Sequence, residues 1–127
     1  MLGMEFKLNR ERIEKEEKYK TYKNMIYSLD KYFKKYGFDV YEEGEARRYL
    51  GHDHPNDFAY LTLIYSRLHR TRWFMENLHY WYLLDSDEND DPNDFDYEDY
   101  LSMLLKNNKL LWLDPKNIKP KEEITAI

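Results

Sequence analysis

The sequence has no cysteine. That excludes disulfides, zinc–thiolate centres and thiol nucleophiles. It has no apolar run near the roughly 20 residues a membrane-spanning helix needs. Its opening, MLGMEFKLNRER, lacks the apolar segment of a signal peptide. A cytoplasmic protein without a membrane partner is the expectation. Glycine and proline are scarce, four of each, which argues against disorder and against a turn-rich all-β fold. Gly-rich phosphate loops, G-x-S-x-G, H-E-x-x-H and zinc-finger spacings are absent as well. The common enzyme signatures are therefore missing, and no cofactor is expected.

What remains is 127 residues, the size of one ordinary domain that buries a core without staples. The formal net charge is −5, and it is segregated. Residues 85–99, DSDENDDPNDFDYED, hold nine acids and no base, while the stretches on either side are slightly positive. Aromatic residues are abundant: 13 Tyr, 6 Phe and 3 Trp. Tyr and Trp bury large area at low entropy cost and keep a polar tip, which suits cores and binding surfaces alike.

Periodicity predicts a mainly α, single-domain fold over 1–127, with about three main helices around a buried central one. Residues 10–36 place Tyr22, Met25, Ile26, Leu29, Tyr32, Phe33 and Tyr36 on one stripe. Asn9 serves as its cap and Gly37 as its left-handed stop. Residues 56–84 are apolar nearly all round, the mark of a central helix buried by several neighbours. A third helix is expected over 94–108, capped by Asn93 or Asp94. FDVY (38–41) reads as a short strand and EGEARRYL (43–50) as two helical turns, whereas 109–113 is a strand or a docked extended segment. Residues 85–95 are expected to be an acidic connection and 114–127 an extended tail. Leu29, Phe33, Ile64, Leu68, Leu78, Leu101 and Leu104 are the expected core anchors.

Four groups of residues bear on function. In the acidic stretch Asp85, Asp87, Asn89, Asp91, Asn93 and Asp96 occupy positions 1, 3, 5, 7, 9 and 12 of a twelve-residue loop. This resembles the EF-hand calcium site of helix–loop–helix proteins, since hard cations need several oxygens at close range. Asp90 stands where that loop has glycine, and Pro92 where it pairs with a sister loop. The expectation is a solvated connector, with calcium binding as the alternative.

Arg47 and His52 carry an R-x4-H spacing that resembles the motif of HEPN-type ribonucleases. The resemblance spans six residues and implies a helical fold with His as proton-transfer group and Arg stabilising phosphate charge. Gly51, just before His52, departs from that helical context. His69 and His79 are about 80° out of phase on a helix and do not converge by themselves.

The outer face of the first helix carries Lys20, Lys23, Lys31, Lys34 and Lys35 with Tyr27 among them, and the central helix carries Arg67, Arg70 and Arg72. Together they describe a basic, aromatic surface for RNA or DNA. Trp73, Tyr80 and Trp81 are left over from the main stripe of the central helix, which points to contact with a partner or a second copy of the chain.

The resulting expectation is a small non-enzymatic binding protein. It acts as an accessory regulator or inhibitor of a protein or ribonucleoprotein partner. The Lys-, Asn- and Tyr-rich composition suits a phage or mobile element with an anti-defence role. Nucleic-acid binding, the ribonuclease and the calcium protein are its alternatives.

Overall fold

Residues 2–8, LGMEFKL, alternate from Gly3 onward, and in the computed structural model of the chain they form the middle strand of a sheet. The structure describes residues 1–16, 20–43, 45–85, 96–106, 113–114 and 119–120. Strand β1 (Leu2–Leu8) sends Met4, Phe6 and Leu8 into the core, each at most 1% exposed. Alternate residues of a strand share a face. Two antiparallel neighbours flank β1: β3 (Ala46–Leu50) on one side and β4 (Leu78–Asp85) on the other. Strand β2 (Asp39–Glu43) lies outside β3, and β5 (Asp96–Asp99) lies outside β4. The order is β2-β3-β1-β4-β5. The fold is therefore α/β, and the mainly α, all-helical expectation is overturned by this sheet.

Among the described residues five helices accompany the sheet: α1 (Arg10–Glu16), α2 (Tyr22–Lys35), α3 (Asp57–Leu68), the single turn α4 (Arg72–Met75) and α5 (Tyr100–Lys106). α2 buries Met25, Leu29 and Phe33, and α3 buries Leu61, Ile64 and Leu68. These join Met4, Phe6, Tyr49 and Trp81 in one core cluster. Its centre is aromatic. Phe33 stacks on Tyr49 at 3.9 Å, and Phe74 stands edge-on to Phe6 and to Trp81, both at 5.1 Å. Of the expected anchors, Leu29, Phe33, Ile64 and Leu68 are fully buried, while Leu78 and Leu101 pack at the core's edge. The side chain of Leu104 is outside the described residues.

The long central helix expected over 56–84 is three elements. α3 ends where Thr71 turns its hydroxyl back to the Arg67 carbonyl at 2.7 Å. α4 ends where the Asn77 amide donates to the Trp73 carbonyl, also at 2.7 Å. Side chains that take backbone partners this way compete with helix continuation. Residues 78–85 then run as β4, beside β1. A strand with apolar residues on both faces has the same apolar content as a buried helix, so composition does not separate the two.

The helix expected over 10–36 is interrupted before Thr21, whose hydroxyl caps α2 by accepting from the Asn24 amide at 3.1 Å. Asn9 does cap α1, accepting from the Arg12 amide at 3.0 Å. Gly37 follows α2 with φ +85°, a conformation glycine adopts without steric cost. Residues 46–50 form β3 instead of helical turns. The expected third helix begins six residues late. Residues 96–99 pair with β4, and Asp99 caps α5 through the Ser102 amide at 3.0 Å. Leu113–Asp114 (β6) pairs with Lys119–Pro120 (β7), so part of the stretch read as a tail is paired. Among the described residues no helix is long and apolar enough to cross a membrane.

Candidate anion-binding groove between α2 and α3

Once Met25, Leu29 and Phe33 face inward, helical spacing puts Ser28, Tyr32 and Lys35 on one flank of α2. Arg67 of α3 meets that flank. The two helices enclose a groove of about 350 Å³ lined by Ser28, Lys31, Tyr32, Lys35, Tyr36 and Arg67. Three of the six are cations and none is an acid. The Arg67 guanidinium lies 5.9 Å over the Tyr32 ring and the Lys35 ammonium 5.5 Å from the Tyr36 ring. Tyr32 and Tyr36 meet edge to face at 5.4 Å, and Tyr60 of α3 packs against Tyr36 at 5.2 Å.

Burial, helped by the neighbouring Tyr36 phenol and opposed by Arg67, pushes the Tyr32 hydroxyl up to about 12, so it stays protonated. Lys20, just before α2, reaches one lining residue from outside the groove. Its ammonium donates to the Ser28 hydroxyl at 3.4 Å and rests 4.7 Å from the Trp73 ring. Burial there lowers its pKa from the ordinary lysine value. On the adjoining outer face Tyr27 is 67% exposed, with Lys23 one turn before it and Lys31 one turn after.

The structure thus brings Lys31 and Arg67 together and sets Lys20 against Ser28 of that lining. Lys23, Lys34 and Tyr27 stay on the exposed face of α2. Arg70 follows the end of α3. Arg72 is engaged within α4, donating to the Glu76 carboxylate at 2.8 Å. Lys35 belongs with the groove cations, while Tyr32 and Tyr36 were grouped with the apolar stripe. The available signal was a tyrosine at the stripe's edge with a lysine three residues on.

Other candidates separate. Trp73 and Trp81 are 1% and 0% exposed, inside the chain's own core. Tyr80 lies on the opposite face of the sheet, stacked on Tyr82 at 4.7 Å, and donates to Glu5 at 3.0 Å. Arg47 sits on the core face of β3 and donates to Asp30 of α2. His52 lies past the end of β3, 2.7 Å from Asp39. The R-x4-H residues therefore sit on a strand and the irregular segment after it, with different partners, and the helical context of the ribonuclease motif is absent. Asp85 and Asp96 face each other across β4 and β5. The acidic stretch is flanked by strands, so the helix–loop–helix frame of the calcium reading is replaced. Asp87, Asn89 and Asp91 lie outside the described residues. No family model, no curated protein and no solved structure matches this chain.

Proposed function

We propose that this chain is a small non-enzymatic binding protein that engages a polyanionic macromolecular partner in the α2–α3 groove and regulates it by occupying its surface. The observation that carries this is the convergence of Lys31, Lys35 and Arg67 on one groove with no acid among the described lining residues, in a protein of net charge −5. Screening makes the local sign decisive. At physiological salt a charge is felt over about 8 Å, so an anion in the groove responds to these cations far more than to distant carboxylates. Arginine adds planar donors suited to phosphate or carboxylate oxygens, and lysine adds point charge. The separate engagement of Arg47 and His52 supports a binding role over an acid–base one.

Affinity for a heparin-type polyanion tests the reading. Binding should weaken steeply with salt and be lost on combined Lys31→Glu and Lys35→Glu. Lys15→Glu on the exposed face of α1 should leave it intact. Equal loss from the Lys15 change, or none from the groove changes, overturns the proposal.

A further inference from the structure

Resting on that polyanion reading, we infer that the groove's occupant is single-stranded nucleic acid, with phosphates on Lys31, Lys35 and Arg67 and unpaired bases on the tyrosine rings. The lining points to this chemistry. Besides its cations it holds Tyr32, Tyr36 and Ser28 and, among the described residues, no aliphatic side chain. An acidic peptide uses the cations and can pack on phenol rings, but the described lining offers its apolar side chains no aliphatic pocket. A duplex offers phosphates, but its bases are stacked on one another, so the rings contribute nothing. A single strand uses both, because every base has a face to stack and sequence hardly matters.

The layout along α2 agrees. Lys23, Tyr27 and Lys31 follow at one-turn intervals, about 6 Å each. A strand laid along the helix meets cation, ring and cation in turn, with the groove beside them. Tyr27 is the most open ring of α2, at 67% exposure. The Arg67 guanidinium and the Tyr32 ring below it supply a second planar surface.

The experiment uses the full chain and fluorescence anisotropy. Labelled single-stranded DNA and RNA, the matching duplex, heparin, an acidic peptide and anionic phospholipid vesicles are compared between about 50 and 200 mM salt. Tighter binding of the single strands than of duplex or heparin supports the inference. So does a loss of about tenfold in single-strand affinity with Tyr27→Ala, heparin binding being unchanged. Tyr27 is exposed, so this variant does not threaten the fold, and Tyr36→Leu provides a second reading from inside the groove. If heparin, duplex and single strand bind alike and both tyrosine variants are neutral, the single-strand assignment is overturned while the polyanion reading stands. Preference for the acidic peptide or the vesicles overturns it in the same way. If no polyanion binds, both fall.

Discussion

Arg47 Nη2 lies 2.8 Å from each carboxylate oxygen of Asp30, tying the core face of β3 to α2. The Tyr49 hydroxyl donates to the same carboxylate at 2.5 Å. Arg47 is 8% exposed, and the Asp30 side chain keeps one edge toward solvent. Burial works against the Arg47 charge, but the bonds to Asp30 and Tyr49 more than offset it and its pKa rises. Burial, and then Asp30, push the Tyr49 hydroxyl well above the usual phenol range. Asp30→Ala leaves the guanidinium buried without its counter-charge, and should cost on the order of 3 kcal/mol in urea denaturation. Replacing both members, Asp30→Leu with Arg47→Met, should recover part of that loss. A single-variant effect near zero would show that the pair does not hold β3 to α2.

Gly3 is the close-approach point of the sheet. A Cβ there would meet the Tyr49 carbonyl oxygen and, at 2.7 Å, a methyl of Leu50. The carbonyl belongs to the paired strand and has little room to yield. Gly3→Ala should lower stability by about 1–3 kcal/mol, the ordinary range for overpacking, measured from denaturation midpoints.

His69 is 9% exposed and stands edge-on to Tyr65 at 4.7 Å. Burial first, and the Arg70 charge second, lower its pKa from the ordinary 6.5. The unfolded chain therefore takes up the proton more readily. The neutral ring's contribution is fully present above pH 6.5 and is lost as pH falls below it. Denaturation at pH 7.5 and 5.5 should show lower stability at the acid value, with a smaller difference in His69→Gln. An unchanged difference would mean that His69 charges freely in the fold.

Tyr32 titrates in the opposite window. Its folded value of about 12 lies above the ordinary phenol value of 10, so the unfolded chain loses the proton first. Stability held below pH 10 should decline as pH rises toward 12. Tyr32→Phe should flatten part of that decline, read by denaturation across the same range.

Leu68 is 0% exposed on the core side of α3. Leu68→Ala should destabilise by roughly 2–5 kcal/mol, and a change near zero would contradict the packing of α3 against the sheet.

Local signals were legible where one face of an element is wet and the other dry. The stripe Met25, Leu29, Phe33 of α2, the cap at Asn9 and the stop at Gly37 follow from period and from side-chain chemistry within a few residues. So do Ile64 and Leu68 of α3. Residues 78–85 were not legible in the same way. Tyr80, Tyr82 and Leu84 alternate with Trp81 and Leu83, and both sets are apolar, so no period is left to distinguish a strand from a buried helix. The alternation of Met4, Phe6 and Leu8 was present in the sequence. Its weight appears only when β3 and β4 pair on either side and complete the backbone hydrogen bonds.

By itself the sequence determined composition-level facts and single-element faces: no thiol chemistry, a lysine-rich helix with an apolar stripe, and acids gathered in one run. Only the tertiary structure decided that Lys31 and Lys35 would face Arg67 across a groove, that Trp73 and Trp81 would be core, and that Arg47 and His52 would take different partners. Helical period fixes directions about one axis within a few residues. Which flank meets which depends on how two helices settle on a shared sheet, and that is set by the pairing of β1 with β3 and with β4, whose partners lie 39 or more residues apart in the chain.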